Sequence, residues 1–150
     1  MRKDIYYPVY MESHDIDWFC KIGNIPIHCA SNGGTLPKKV NVRSMNRKNQ
    51  EVVAALPELL DRHEEIIVNE KYVRNRMENQ LSEDSYEHYI SSFVSMARKG
   101  FWSFDREIND ANDDIYMWIA KPAKIVEVEI NSLPEYDERQ CHAFFHGKSA

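Results

Sequence analysis

The chain lacks any long apolar run, and no segment approaches the roughly 18 consecutive apolar residues of a membrane-crossing helix. Its opening stretch, MRKDIYYPVYMESHD, holds neither the apolar core of about 7–15 residues nor the small-residue cleavage site of a secretory leader. The expectation is a cytoplasmic protein with no membrane contact. Cysteine is scarce: an odd number, 3, with no CxxC pair, so reduced thiols are expected. No GxGxxG or GKS/T surrounds Asn32-Gly33-Gly34, which reads as a flexible turn rather than a phosphate loop. Internal repeats and low-complexity tracts are missing too.

What is present is the composition of an ordinary folded protein. The 150 residues are 43% hydrophobic and 11% aromatic, which argues against disorder. A chain of this size buries roughly 68–70% of its unfolded surface and needs no metal or disulfide staple. A net charge of −5 argues against general nucleic-acid binding. The sign is unevenly spread. Lys38, Lys39, Arg43, Arg47 and Lys48 lie in a segment without an acid, whereas Asp105 to Glu138 is dominated by Asp and Glu.

The most regular stretch is DIDWFCKIGNIPIHCASNGG, residues 15–34. Taking Gly23-Asn24 as a two-residue hairpin turn pairs Ile22 with Ile25, Cys20 with Ile27, and Trp18 with Cys29. Strand side chains alternate, so Ile16, Trp18, Cys20, Ile22, Ile25, Ile27 and Cys29 share one face. Asp15, Asp17, Phe19, Lys21, Pro26, His28 and Ala30 share the other. The two cysteines therefore read as inert core fillers. His28 sits on the mixed face, diagonal to Asp17, and an acid–imidazole pair is the minimum equipment for proton transfer. The plain alternative is an exposed cross-strand pair.

In the middle of the chain, KKVNVR reads as a short third strand with Val40 and Val42 on one face. RSMNRKNQ leads into a helix carrying Val52, Val53, Leu56, Leu59 and Leu60, kinked or split at Pro57. The basic residues before it can hold phosphate, but no aromatic lies among them to stack on a base. EEIIVNE reads as a brief extended link, followed by a helix from about Glu70 to Gln80. In SEDSYEHYISSFVSMARKG, Asp84 is the expected N-cap with Glu87 completing a capping box. Tyr86, Tyr89, Ile90, Phe93 and Ala97 make the buried stripe, and Gly100 is the stop.

FWSFDRE reads as a strand and NDANDD as a loop that does not fit a calcium-binding EF loop. IYMWIAKP and KIVEVEI read as two more strands. On the second, Ile125, Glu127 and Glu129 share a face, and two carboxylates so placed can act as an acid–base pair. Solvated glutamates are the ordinary reading. The tail holds Cys141, His142 and His146, but Gly147 and the Phe pair argue against a metal-binding helix. No metal and no cofactor are expected.

These readings give an α+β fold, a single domain over residues 1–150. An antiparallel sheet of the N-terminal hairpin plus C-terminal strands packs against two to four helices from the middle of the chain. For function, the leading expectation is a protein-interaction module, of the adaptor, inhibitor or immunity type, with a partner that presents a basic surface. The chain lacks a complete catalytic constellation, its balance is acidic, and 8 Tyr, 6 Phe and 3 Trp supply anchors. The acidic stretch Asp105 to Glu138 is the expected docking surface. The second expectation is a small enzyme acting on a nucleotide or other phosphorylated substrate. Arg106 or the Lys38, Lys39, Arg43, Arg47 and Lys48 cluster would hold phosphate, and His28, Asp17, Glu127 or Glu129 would move protons. The third, nucleic-acid binding through segment 38–48, ranks last.

Overall fold

The Gly23-Asn24 turn closes the hairpin in the register that the apolar pattern requires. The computed structural model describes residues 5–7, 10–11, 14–32, 36–37, 40–76, 82–107, 115–125, 128, 133–136 and 145–146. In it β1 (Asp17–Ile22) lies antiparallel to β2 (Ile25–Ala30), with Trp18 opposite Cys29, Cys20 opposite Ile27 and Ile22 opposite Ile25. Gly23 takes φ +58°, a left-handed turn conformation that carries no Cβ penalty in glycine. After the hairpin come α1 (Arg43–Ala55), a 3-10 turn (Leu56–Glu58), β3 (Ile66–Val68), α2 (Glu70–Arg76) and α3 (Glu83–Arg98). The chain then returns to the sheet as β4 (Trp102–Arg106), β5 (Tyr116–Pro122) and the short pairs β6 (Glu135–Tyr136) and β7 (Phe145–His146).

The fold is a single α+β domain, with the hairpin and C-terminal strands in one sheet ordered β3-β5-β4-β2-β1-β6 and β7 beside β5. The sheet is mixed rather than uniformly antiparallel. β2 and β4 run parallel, as do β1 with β6 and β5 with β7. A parallel pair needs a long crossover. Here the chain between Ala30 and Trp102 supplies it and carries α1, α2 and α3.

The third strand expected from KKVNVR does not form where the structure describes it. The Val40 and Asn41 N–H groups both donate to Pro37 O, each at 2.9 Å, making a turn. Val40 is fully buried while Val42 is exposed, so they do not share a face. Asn41 explains the turn. Its side chain accepts from Tyr6 N at 2.9 Å and donates to Tyr6 O at 2.8 Å, and Asn46 donates to its Oδ1 at 3.0 Å. Side-chain bonds of this kind compete with a strand ladder. RSMNRKNQ is therefore helical from Arg43, not a lead-in. At the other end Pro57 acts as expected, since α1 stops at Ala55 and continues only as the 3-10 turn.

The segment expected as an extended link is a strand, β3, paired with β5, and α2 forms where expected as far as Arg76; residues 77–81 lie outside the described ones. For α3 the N-cap is Ser82, not Asp84: Ser82 Oγ accepts from Ser85 N at 3.2 Å. Glu83 and Asp84 instead occupy the first turn, where carboxylates complement the helix dipole. Of the expected stripe, Tyr86, Ile90, Phe93 and Ala97 are buried against Ala30, Ile119 and Ala120, and Tyr89 is half-buried beside them. Gly100, at φ +111°, ends the helix. No helix among the described residues is long and apolar enough to cross a membrane.

The two faces of the sheet differ. One carries Trp18, Cys20, Ile27, Cys29, Trp102, Phe104, Tyr116 and Trp118 into the largest apolar cluster, with Met11, Leu36 and Val40 packed in. The other holds His28, Ser103 and Asp105, all buried, beneath the helices. There Phe19 meets Phe101 and Val52 of α1, while α3 covers Ala30. The hairpin's mixed face is thus mostly interior, which is why its polar groups pair.

Candidate functional site

Parallel pairing of β2 with β4 sets His28 opposite Ser103 and Ala30 opposite Asp105. Asp17, opposite Ala30 in the hairpin, lies diagonal to His28. A three-strand polar ladder follows: His28 Nε2 lies 2.9 Å from Asp17 Oδ1, and His28 Nδ1 lies 2.6 Å from Ser103 Oγ. The Asp17–His28 pairing expected from the sequence is therefore present, and Ser103 is an addition that the sequence did not nominate. The Phe19 and Phe93 rings flank the imidazole at 5.2 and 6.3 Å.

A serine, a histidine and an aspartate in hydrogen-bonded order invite comparison with a nucleophilic triad. The exposures run the wrong way. A triad needs its serine at the substrate and its carboxylate behind. Here Ser103 is fully buried, His28 is 2% exposed, and the Asp17 side chain is 47% exposed. Both ring nitrogens are engaged, so no nitrogen of His28 faces a substrate. The ladder joins three strands and presents one carboxylate outward.

Beside it lies a buried ionic knot. Arg76, at the end of α2, donates from Nη1 to Asp105 Oδ2 at 3.0 Å and to Tyr89 Oη at 3.2 Å. Its Nη2 donates to Arg106 O at 2.9 Å, and the Tyr89 hydroxyl also donates to Asp105. The paired side chains are 11% and 4% exposed. Burial pushes the Asp105 carboxyl above its ordinary range, and Arg76 and the Tyr89 hydrogen bond pull it back. Burial works against the Arg76 cation, but Asp105 and the neighbouring tyrosines outweigh it and its pKa is raised. Burial raises the Tyr89 hydroxyl well above the usual tyrosine range. It also raises the hydroxyl of Tyr72, which donates to Glu107 at 3.3 Å, to about 12. Both tyrosines are fixed donors at neutral pH.

Between the ladder and the knot is a cleft of about 400 Å³, bounded by α3 on one side and by the ends of β1 and β2 on the other. Asp15, Asp17, Asp105, His28, His88 and Tyr89 line it, and Ala30, Phe93 and Met96 give it apolar surface. No lysine or arginine is among the described residues that line it. Asp105 is neutralised by Arg76, so the cleft's outward charge comes from Asp15 and Asp17.

The other nominated residues do not converge here. Arg43, Arg47 and Lys48 lie exposed on the first two turns of α1. Arg106 is buried at the end of β4, and strand alternation sends its side chain to the face opposite Ser103 and Asp105. Lys38, Lys39, Glu127, Glu129, Cys141 and His142 lie outside the described residues, as does the His146 side chain. Among the described residues no group of His, Cys, Asp and Glu is placed to hold a metal ion. Two further depressions, of about 260 and 350 Å³, flank Arg62 and His63 and contain none of the nominated residues.

No protein-family model matches the chain, and no curated protein or solved structure matches it either. The geometry of the cleft carries the functional reading.

Proposed function

We propose that this chain is a protein-interaction module whose working surface is the carboxylate-lined cleft between α3 and the hairpin, and that the cleft receives a basic side chain of the partner. The observation that carries the reading is the cleft's combination of groups. It has outward carboxylates on Asp15 and Asp17, an apolar patch of Ala30, Phe93 and Met96, and no described lysine or arginine lining it. A lysine or arginine has the matching shape, an aliphatic stem with a charged head. This moves the docking surface away from the stretch Asp105 to Glu138, whose first residue is buried against Arg76.

The enzyme reading is weaker on two counts. His28 offers no ring nitrogen to a substrate, and Ser103 is buried. A phosphorylated substrate is disfavoured further, because carboxylates repel phosphate and the basic residues of α1 do not line the cleft.

The test is calorimetric titration with a capped tri-arginine peptide, with tri-glutamate as control. Wild type is expected to bind the basic peptide only. The double variant Asp15→Asn, Asp17→Asn is expected to bind about tenfold more weakly, about 1.4 kcal/mol for two half-exposed charge contacts. Equal affinity in wild type and double variant would move the site elsewhere.

A further inference from the structure

The ladder behind Asp17 has a property that a simple acidic surface does not. His28 can gain or lose one proton without moving. In both states Nε2–H donates to Asp17 Oδ1. In the neutral state Nδ1 accepts from the Ser103 hydroxyl; in the charged state Nδ1–H donates to the same oxygen. A hydroxyl is both donor and acceptor, and it turns to suit. The 2.6 Å contact therefore accommodates either state, and the proton gained or lost is the one on Nδ1.

The two states present different surfaces to the cleft. With a neutral ring Asp17 carries a full outward charge. With an imidazolium 2.9 Å behind it, that charge is largely cancelled. A cation arriving at the exposed side of Asp17 favours the neutral ring and opposes the charged one. We propose that the cleft takes up a basic side chain in exchange for the His28 Nδ1 proton, which passes to solvent, so that partner binding is coupled to proton release. This rests on the reading of the cleft as a site for a basic side chain, and adds the control built into it. Linkage makes the coupling reciprocal, so the partner binds more weakly wherever the ring is protonated.

Among the described residues, the other ionisable groups facing this space are Asp15, Asp105, Tyr89 and His88. Asp15 accepts from Asn32 N at 2.9 Å, at the outer end of the hairpin. Asp105 is held by Arg76 and Tyr89, and Tyr89 stays protonated throughout the neutral range. His88, exposed on α3, is the competing imidazole, since it lines the same cleft.

The experiment is titration of the intact chain with the capped tri-arginine peptide at pH 6.5 in two buffers of different ionisation enthalpy. The difference gives the number of protons released per peptide bound. Wild type is expected to release a measurable fraction of one proton and to bind about five- to tenfold more tightly at pH 8 than at pH 5.5. His88→Gln is expected to keep the proton release. His28→Gln, whose amide can still donate to Asp17, is expected to abolish the release per peptide bound.

Binding by wild type with no proton release overturns the exchange and leaves the cation site standing. So does release that survives in His28→Gln and vanishes in His88→Gln. Absence of binding at every pH overturns both proposals. If His28→Gln is unstable, wild type and His88→Gln decide the matter: release kept in His88→Gln supports the exchange, and release lost there overturns it.

Discussion

Replacing Arg76 by leucine is expected to destabilise the fold by about 3–5 kcal/mol at neutral pH, the largest loss expected from any charged residue here. The reason is not the salt bridge as such. Its two partners are 11% and 4% exposed, and removing the cation leaves the Asp105 carboxylate largely buried without a counter-ion. Burial already pushes that carboxyl upward from 3.8, and Arg76 is the main force pulling it back. Without Arg76 the folded-state pKa climbs further. A carboxyl with a raised folded pKa holds its proton to higher pH in the folded chain than in the unfolded one. Stability therefore falls as pH rises through that window and returns as pH is lowered. The penalty of Arg76→Leu is expected to be full at pH 7 and to shrink toward pH 4–5. Adding Asp105→Asn is expected to recover about half of it, since an amide needs no counter-ion. Urea unfolding at several pH values checks this. A penalty below about 1 kcal/mol, or one independent of pH, would mean that Asp105 is better hydrated than its burial indicates.

Trp18→Ala is expected to cost a similar amount, about 3–5 kcal/mol, for a different reason. Trp18 is 1% exposed in the centre of the larger apolar cluster. Its ring meets Tyr116 edge-on at 5.4 Å, and its Nε1 donates to the Tyr116 hydroxyl at 3.2 Å. Truncation opens a cavity between β1 and β5, strands that are not neighbours in the sheet, and removes a buried donor. The loss should be flat from pH 5 to 8, which separates it from Arg76→Leu in the same unfolding assay. Trp18→Phe should restore much of the packing but not the hydrogen bond.

The parts of the fold legible in the sequence are those that short-range pattern dictates. The hairpin register came from one alternating run around Gly23-Asn24. The α3 stripe came from Tyr86, Tyr89, Ile90, Phe93 and Ala97, of which Tyr89 is only half-buried. Where side-chain bonding competes with propensity, pattern failed. Asn41 binds the Tyr6 backbone and accepts from Asn46, and a turn forms where valines suggested a strand. Ser82 takes the cap in place of Asp84 because a hydroxyl can accept from Ser85 N there.

The site was half legible for the same reason. Asp17 and His28 are two positions apart across a hairpin, and alternation alone puts them together. Ser103 and Asp105 share a strand face by the same rule, but nothing local says that β4 runs parallel to β2 and beside it. That adjacency depends on where α1, α2 and α3 leave the chain. Arg76 was invisible for a further reason. A cation in a helix of ordinary composition carries no sign that it will be buried against an aspartate 29 residues away.

The claim that matters most is that the cleft between α3 and the hairpin binds a basic side chain. Heteronuclear NMR of the isotope-labelled chain, titrated with the capped tri-arginine peptide, tests it most directly. Saturable shifts confined to the amides of Asp15, Asp17, Ala30, Asn32, His88, Tyr89 and Ser92, and to the His28 ring, are the expected result. Shifts centred on Glu58, Arg62 and His63, or spread without saturation over the acidic surface, would contradict it.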